Sequence, residues 1–338
     1  MPIEDESAFV RIQNTLTAVE QGIIVVQYST ENCHRGDALS MSHLIAGVVG
    51  AAVGDALGLP YDGHKRDTYR CEDMVPLGKR TLPIGYWSDD TSMILAELDS
   101  LAEKGEYDAE DVMGRFAQWI YDGRYTPAGQ SFGVGRTTAS AVSRYRSGTP
   151  ADLCGGREIL DNGGGALMRI LPYALLKDPN RLNIVDAAGS LTHAHQISRQ
   201  MCLIYCYLVD EFLAGRTPRE ALNAILDNDA CDVPEHFLGR LQSVEAVARV
   251  SVPNSGFACD LLLAAIWCLV HTNNYVDAVL LAVNLGGDTD TLGSVTGGLA
   301  GILYGVGGEK GVPTAWSHAL ARYEDIVKLC ERCDTLMR

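Results

Sequence analysis

Two glycine-rich stretches with helical periodicity constrain the fold of this chain most strongly. Residues 43–58 contain four glycines among alanines and valines, and residues 289–304 contain four more. Because glycine costs about 1 kcal/mol relative to alanine inside a helix, so many glycines need a packing reason. Close approach of neighbouring helices supplies that reason. We therefore predict that both thin helices lie centrally and bring their ends together.

The rest of the chain beyond residue 40 also shows helical periodicity, with short connections rich in glycine, proline and asparagine. No alternation of strands and helices is visible. The pattern predicts an all-α fold, a single compact domain of about a dozen helices over residues 41–338. Besides the glycine-rich stretches, helices are predicted over residues 88–104, 109–121, 136–147, 195–214, 218–226, 235–249, 257–271 and 275–285.

Hard oxygen ligands crowd the start of two predicted helices. Residues 86–93 read Tyr-Trp-Ser-Asp-Asp-Thr-Ser-Met, and residues 284–293 read Asn-Leu-Gly-Gly-Asp-Thr-Asp-Thr-Leu-Gly. Four carboxylates and neighbouring hydroxyls, without a thiol or imidazole, suit hard divalent cations such as Mg²⁺ or Mn²⁺ rather than zinc. If the two segments meet in space, they form a two-metal site.

Helix capping explains the same residues without a metal, because Ser, Thr and Asp satisfy free backbone N–H groups at helix starts. A cap needs only one oxygen, however, and a second adjacent carboxylate adds repulsion that a cation would offset. The spacing alone leaves both interpretations open.

Several separated motifs resemble, in the same order, those of the ADP-ribosylglycohydrolase family. This family includes the dinitrogenase reductase-activating glycohydrolase and the vertebrate ADP-ribosyl-acceptor hydrolases. Residues 47–62 are similar to its opening helix and Gly-Asp-Ala-Leu-Gly-x-Pro run, residues 165–172 to its Gly-x-x-Met-Arg-x-x-Pro element, and residues 191–195 to its Thr-His element. With the two acidic segments, the resemblance covers about residues 42–330 and implies an all-α fold.

The resemblance implies a hydrolase that uses two divalent cations, Mg²⁺ or Mn²⁺, to remove ADP-ribose from modified protein side chains, arginine first among them. Asp89 and Asp290 are the implied catalytic residues, with Asp62 as the candidate that orients water or substrate. Asp55 either caps a nearby backbone segment or hydrogen bonds to metal-bound water without binding the metal itself. The implied metal ligands are Ser88, Asp89, Asp90, Asp288, Asp290 and Thr291.

A glycine run is the main implied substrate contact. Backbone N–H groups of Gly163, Gly164 and Gly165, with Met168 and Arg169 following, would approach the pyrophosphate at a helix start. Three glycines alone, however, usually make a flexible turn. The family motif therefore carries this interpretation.

Further implied contacts compete with simple packing roles. His193 could bind nucleotide or orient a ligand, or it could be a structural histidine. Tyr86 and Trp87 could present a ring to adenine, or they could belong to the core. A polar loop before a predicted helix could line the phosphate side, and its residues are Ser131, Gly133, Gly135 and Arg136.

Three positions depart from the family pattern. Asp62 stands where members commonly carry Glu, so its carboxylate is shorter by one methylene. Gly164 stands where a Gly-Asn-Gly element carries Asn, and Asn162 lies two places earlier. These departures put the reach of residue 62 and the substrate contacts of the loop in question. Ser88 stands where many members have Thr and keeps the hydroxyl.

Composition excludes several classes of function. The net charge of −16 argues against nucleic-acid binding, which needs basic surface. Apolar runs such as residues 261–270 fall short of the roughly 20 residues of a membrane span, and the acidic N-terminus does not read as a secretory signal. The ten cysteines lack zinc-type spacing. They predict reduced thiols in a cytoplasmic protein, and the Cys330 and Cys333 pair fits chance better than redox chemistry.

Residues 1–40 lie outside the resemblance and form a predicted N-terminal extension. Residues 5–20 could be an amphipathic helix that stops at Gly22, and residues 23–26 a short strand. Such an appendage either packs on its own domain or acts as an acidic arm that docks on another protein. The arm gives the alternative function, an immunity-type binding protein that blocks an ADP-ribosyltransferase, with or without hydrolase activity.

Overall fold

A computed structural model describes residues 42–78, 82–228, 231 and 233–338. In this part of the chain fourteen α-helices form the fold, and extended pairing is confined to five isolated bridges. The prediction of an all-α fold is therefore confirmed. The helices are α1 (His43–Gly58), α2 (Asp89–Lys104), α3 (Ala109–Asp122), α4 (Arg136–Arg146), α5 (Leu171–Ala174), α6 (Arg181–Ser190), α7 (Gln196–Leu213), α8 (Pro218–Leu226), α9 (Glu235–Gln242), α10 (Ala258–Val270), α11 (Tyr275–Val283), α12 (Thr289–Tyr304), α13 (Thr314–Ala319) and α14 (Tyr323–Cys333).

One predicted helix is wrong in its extent. The pattern over residues 235–249 predicts a single helix, but α9 ends at Gln242. The backbone of Val247 is extended, and its carbonyl accepts a hydrogen bond from Trp267 Nε1 of α10 at 2.9 Å. This tertiary hydrogen bond uses a carbonyl that a longer helix would have used internally. Helices α5, α6, α13 and α14 also lie outside the predicted segments, although the buried residues of α14, Ile326, Cys330 and Cys333, recur at helical spacing.

The two glycine-rich helices, α1 and α12, pack against each other at the centre of the fold. They run antiparallel, with Gly50 facing Gly297 and Gly54 facing Gly293. A Cβ on Gly54 would lie 2.0 Å from the Gly293 carbonyl oxygen, and one on Gly50 would lie 2.3 Å from that of Gly297. Any larger side chain at these positions meets backbone. The predicted close approach is confirmed, and it brings the C-terminal end of α1 to the N-terminal end of α12.

Helix α1 and the turn after it, His43–Tyr61, are long and apolar enough to cross a membrane by length and composition. In the fold, however, 83% of that apolar stretch is buried inside the protein, as in a core helix. All nine cysteines in the described ranges are free thiols, and burial raises the pKa of Cys333 to about 11. A buried thiol with a raised pKa is a poor nucleophile, which suits a packing role for this cysteine.

The predicted extension over residues 1–40, with its helix over 5–20 and strand over 23–26, lies outside the described residues. The acidic arm of the alternative function lies in the same segment. Both stay predictions from the sequence.

Candidate active site

Three helix ends meet at one place. The N-terminus of α2 lies against α1 because the Asp55 carboxylate accepts hydrogen bonds from the backbone N–H groups of Ser88 at 2.9 Å and Thr91 at 3.1 Å. The N-terminus of α12 lies against the last turn of α1, where the Thr289 hydroxyl donates to the Gly58 carbonyl at 2.8 Å. The two acidic segments of the sequence therefore meet in space.

Five aspartates form two clusters that share one residue. Carboxylate oxygens of Asp55, Asp90 and Asp290 lie within 4.8 Å of one another, and so do those of Asp62, Asp288 and Asp290. Asp55, Asp90 and Asp290 are buried, whereas Asp62 is exposed at the mouth of the second cluster. The Asp90 Oδ1 atom is buried without a hydrogen-bond partner in the described part of the chain. An all-oxygen set with an unsatisfied carboxylate oxygen fits hard divalent cations.

The electrostatics of these clusters favour a bound cation. Burial, followed by repulsion from neighbouring carboxylates, raises the pKa of Asp89, Asp90 and Asp290 well above the usual carboxyl range. Burial also raises the pKa of Asp55 to about 6, although hydrogen bonds from Thr91 and Ser88 oppose the rise. Carboxylates this close cannot all ionise unless positive charge offsets their repulsion.

The capping interpretation explains only part of the arrangement. At the start of α2, the Ser88 hydroxyl accepts a hydrogen bond from the backbone N–H of Asp90 at 3.4 Å, as a cap would. At the start of α12, Asp288 occupies the N-cap position but its side chain makes no capping hydrogen bond. The Asp288 carboxylate instead faces Asp62 and Asp290. A doubled cap therefore does not account for the second segment.

Asp62 belongs to one of the aspartate clusters, whereas Asp89 does not. The segment after α1 is held beside α12 because the backbone N–H of Gly63 donates to the Gly287 carbonyl at 2.9 Å. The shorter Asp62 side chain thereby still reaches ligand distance of the second cluster. Asp89 belongs to neither cluster, and its carboxylate abuts Gly133, where a Cβ would lie 2.4 Å from Oδ1. The polar loop predicted to line the site thus contacts it through Gly133.

Comparison with known sequences identifies the family of this chain. The sequence profile of the ADP-ribosylglycohydrolases matches residues 37–338. The chain belongs to the ADP-ribosylglycohydrolase family. It is therefore a hydrolase that acts on ADP-ribosylated substrates.

Two relatives and one solved structure illustrate the similarity. The chain is 28% identical to an ADP-ribosylarginine hydrolase Tri1 of Serratia proteamaculans, with 90% of this chain and 82% of that protein covered. It is 31% identical to the ADP-ribosyl-[dinitrogen reductase] glycohydrolase of Rhodospirillum rubrum, over 79% of this chain and 86% of that one. A solved ADP-ribosylglycohydrolase-related protein complex superposes with a TM-score of 0.73 at 29% identity, covering 88% and 98% of the two chains.

The glycine run, residues 163–165, forms one wall of the site. The backbone N–H of Gly164 donates to the Gly256 carbonyl at 2.9 Å, and a Cβ on Gly164 would meet the Thr291 methyl group at 3.1 Å. Thr291 itself lies in the first turn of α12, directly after Asp290. Small residues are needed here because neighbouring elements fill the space of a side chain. Met168 follows the run and is buried, and its backbone N–H donates to the Gly164 carbonyl.

Asn162, the displaced residue of the family pattern, has a structural role. Its side chain is buried, and Oδ1 accepts hydrogen bonds from the backbone N–H and the hydroxyl of Ser198 at 3.0 and 3.2 Å. Its amide nitrogen donates to the Ile159 carbonyl at 2.9 Å. Asn162 therefore ties the glycine run to α7, and it does not replace the asparagine that Gly164 lacks.

His193 lies on the other side of the glycine run, almost fully buried. Its Nδ1 atom lies 2.8 Å from the Thr192 hydroxyl, and a Cβ on Gly165 would lie 3.2 Å from its Nε2 atom. Burial, with a smaller contribution from Arg169, lowers the pKa of His193 to about 3. The imidazole is therefore neutral at physiological pH.

The low pKa of His193 predicts a pH dependence of stability. Between about pH 3 and 6.5 the unfolded chain binds a proton that the folded chain excludes, so the free energy of unfolding rises with pH through this window. By linkage, His193 contributes about 2 kcal/mol to the rise between pH 5 and 7. Urea unfolding at pH 5 and pH 7 should show that the free energy of unfolding rises less in His193→Gln than in the parent protein. The exposed His236→Gln variant should behave as the parent, and equal slopes for all three proteins would contradict the assignment.

Other candidate contacts have partners within the protein. Trp87 is fully buried, so of the two roles left open for it the core role holds, and its ring cannot stack on adenine. The Ser131 hydroxyl donates to the Ile120 carbonyl at 2.8 Å, and the Arg136 side chain is exposed and donates to the Leu160 carbonyl. Tyr86 is half-buried beside the site. Trp87 therefore packs in the core, and the hydrogen bonds of Ser131 and Arg136 stabilise their loop, while a substrate contact of Ser131 stays a prediction.

Two residues near the site were not predicted from the sequence. A Cβ on Gly256 would lie 2.5 Å from the Asp288 carboxylate, so a larger residue there would displace that carboxylate. The next residue, Phe257, pairs with Gly163 in an isolated bridge and leaves 42% of its surface exposed. An exposed aromatic ring next to the glycine run offers a face for a planar base. The only sequence signal was the Pro-Asn-Ser-Gly-Phe turn before α10, which carries no obvious chemistry.

Proposed function

We propose that the protein is a divalent-metal-dependent hydrolase that removes ADP-ribose from arginine side chains of modified proteins. The observation that carries the proposal is Asp290, whose carboxylate belongs to two three-aspartate clusters at once. Two oxygen clusters that share a carboxylate could hold a pair of divalent ions side by side. The arginine linkage is supported by the similarity to an ADP-ribosylarginine hydrolase.

Two ions would be held by the clusters of Asp55, Asp90 and Asp290 and of Asp62, Asp288 and Asp290. Mg²⁺ or Mn²⁺ fits this donor set, because every ligand is a hard oxygen. When bound, such ions polarise the ribose oxygens and lower the pKa of a nearby water. Asp55 has a second task, since its hydrogen bonds to Ser88 and Thr91 fix the start of α2.

Asp62 is the residue that we assign to water activation. It is exposed, whereas the other members of its cluster are less accessible. An accessible carboxylate beside the proposed ion can hydrogen bond to a water and accept its proton. It would take a proton from the water that attacks the anomeric carbon. As the new carbon–oxygen bond forms, the bond to the guanidine nitrogen breaks, and the leaving nitrogen takes up the proton that Asp62 removed from the water.

The glycine run and Phe257 complete the proposed substrate site. We place the pyrophosphate against the backbone N–H groups of Gly163 and Gly165, which carry no side chain of their own. Phe257 offers its exposed ring to the adenine base at the edge of the same run. The substrate is an ADP-ribosylated protein, and a cytoplasmic location, suggested by the free cysteines, belongs to the same proposal.

The test is release of ADP-ribose from matched peptides modified on arginine or on serine, with Mg²⁺, with Mn²⁺ and with EDTA. We expect release from the arginine peptide with either ion, loss of at least about a thousandfold in EDTA, and recovery when the ion is restored. Release from the serine peptide alone would overturn the assigned linkage. Release that EDTA does not affect would overturn the metal dependence.

A further inference from the structure

One arginine fastens the segment that carries Asp62 to two other loops. Arg66 lies four residues after Asp62, and its side chain is half-buried. Its Nε atom donates a hydrogen bond to the Leu285 carbonyl at 2.8 Å, and its Nη1 and Nη2 atoms donate to the carbonyls of Arg249 and Val252. Leu285 lies in the loop before α12, whereas Arg249 and Val252 lie in the loop before α10. All three nitrogens of the guanidinium group are therefore bound to backbone.

The three hydrogen bonds of Arg66 need a guanidinium group. This group is planar, it carries its donors in a rigid fork, and it stays charged. Hydrogen bonds from a charged donor are roughly twice as strong as those between neutral groups. A lysine ammonium group radiates its donors from one atom, so it could not replace all three bonds. Arg66 therefore fixes three chain segments relative to one another.

The segments that Arg66 joins also carry the second aspartate cluster. Asp62 precedes Arg66 in one segment, and Asp288 ends the loop before α12. Gly256, which lies against the Asp288 carboxylate, belongs to the loop before α10. The carboxylate oxygens of Asp62 and Asp288 that could hold an ion lie within 4.8 Å of each other. Their separation therefore depends on how these segments are held together.

The backbone places the same segments in direct contact. The N–H of Gly63 donates to the Gly287 carbonyl at 2.9 Å, and the N–H of Gly287 donates to the His64 carbonyl at 2.9 Å. Gly286 has a φ of +72°, and a Cβ there would lie 2.5 Å from the backbone nitrogen of Arg66. The turn before α12 thus lies against the Arg66 backbone, and the Arg66 side chain adds the loop before α10.

The first aspartate cluster is held by different contacts. Asp55 and Asp90 belong to α1 and α2, and hydrogen bonds from the backbone of Ser88 and Thr91 to Asp55 join these helices. The hydrogen bonds described for Arg66 end in the loops before α10 and α12. A change at Arg66 should therefore affect the second cluster before the first.

We propose that Arg66 is a positioning residue that holds Asp62 beside Asp288 and thereby raises the affinity of the second aspartate cluster for its divalent ion. The proposal rests on the proposed function for the presence of two such ions. Arg66 acts through the backbone of its own segment, since its hydrogen bonds go to carbonyl groups. Asp62 is thus fixed before an ion arrives, and a ligand fixed in advance needs little further ordering when the ion binds.

Binding of Mn²⁺ to the full-length, metal-free protein tests this role, with free Mn²⁺ measured by electron paramagnetic resonance. We expect the parent to bind two ions. In Arg66→Gln, one ion should bind about ten- to a hundredfold more weakly, because a residue that orients a metal ligand is lost, and the other should change less than about threefold. Removing a positive charge by itself would strengthen cation binding, so this loss reports positioning and not charge. Arg66→Lys keeps the charge and should show the same loss.

Two further variants assign the loss. Arg70→Gln is the matched control, because Arg70 lies in the same segment, is exposed and pairs with the exposed Glu72 at 2.7 Å. It should bind both ions as the parent does. Asp62→Asn should weaken the same ion as Arg66→Gln, and combining the two should weaken that ion by less than about threefold more. Equal weakening of both ions in Arg66→Gln, a loss of equal size in Arg70→Gln, or a full further loss in the double variant would overturn the proposal.

Hydrogen exchange of the parent protein in EDTA requires no variant to fold. The N–H groups of Gly63 and Gly287 should exchange at least about a hundredfold more slowly than in an unstructured peptide, because their hydrogen bonds form before an ion binds. Exchange at the rate of an unstructured peptide would contradict the role of Arg66. If the parent binds fewer than two Mn²⁺ ions, the proposed function fails and this role with it. Two ions bound equally well by the parent and by Arg66→Gln would refute the role of Arg66 alone.

Discussion

Replacing Asp290 with asparagine should reduce ADP-ribose release by at least about a thousandfold and leave the protein folded. Asp290 is the one residue common to both aspartate clusters, so its loss weakens both proposed ion sites together. Loss of several kcal/mol of metal-based stabilisation of the transition state corresponds to a thousandfold or more in rate. Asparagine keeps the shape of the side chain and removes its charge.

The same substitution should not lower stability in the absence of metal. Asp290 is buried among other carboxylates, and burial and their repulsion raise its pKa well above the usual range. A neutral side chain removes that repulsion, so the midpoint of thermal unfolding in EDTA should be equal to or higher than that of the parent. In the parent, added Mn²⁺ should raise the midpoint, and in Asp290→Asn the rise should be much smaller.

The matched control is Asp277→Asn. Asp277 lies in the first turn of α11, as Asp290 lies in the first turn of α12, but it is exposed and hydrogen bonds to Asn274. This variant should keep full activity and the full metal-induced shift. Full activity in Asp290→Asn would exclude the two-ion arrangement, whereas an unfolded Asp290→Asn protein would show that Asp290 is needed for the fold.

Replacing Gly54 with alanine should destabilise the protein by about 3 kcal/mol or more, despite the higher helix propensity of alanine. The added Cβ would lie 2.0 Å from the Gly293 carbonyl oxygen and 3.1 Å from the Ser294 nitrogen. Both atoms are backbone, so no side chain can rotate away. Helices α1 and α12 would have to separate, which would also displace Asp55 from the start of α2.

Urea unfolding of Gly54→Ala and Gly239→Ala measures this effect against a matched change. Gly239 is also helical, in α9, but a Cβ there would meet no atom within 4 Å. Gly239→Ala should therefore stabilise the protein by about 0.5–1 kcal/mol, through backbone entropy alone. If Gly54→Ala were as stable as the parent, the close packing of α1 on α12 would be wrong.

Much of the fold could be predicted because its signals are local. Periodicity located most helices to within about two residues, and glycine spacing indicated that α1 and α12 approach closely. At the end of α9, a tertiary contact replaced local preference. The helix predicted to reach residue 249 ends at Gln242, since the Val247 carbonyl pairs with Trp267 instead.

The candidate site was predictable in composition but not in arrangement. The two segments with their aspartates and the glycine run were all visible in the sequence, and the family resemblance linked them. The sequence could not show that Trp87 is buried in the core, that Asn162 accepts hydrogen bonds from Ser198, or that Phe257 borders the glycine run. Each of these outcomes depends on which way a side chain points from a loop, and loops carry no periodic signal.

The sequence by itself determined the all-α class, the family, and the concentration of acids at two helix starts, because these follow from periodicity and from residue identity. Only the tertiary structure decided how those acids are grouped. Asp55 and Asp62, more than 200 residues from Asp290 along the chain, come within ligand distance of it, whereas Asp89 turns towards Gly133. The physical reason is the antiparallel packing of two glycine-lined helices. Because their backbones are in contact, the C-terminal end of α1 lies close enough to the N-terminal end of α12 for carboxylates on both to approach one another.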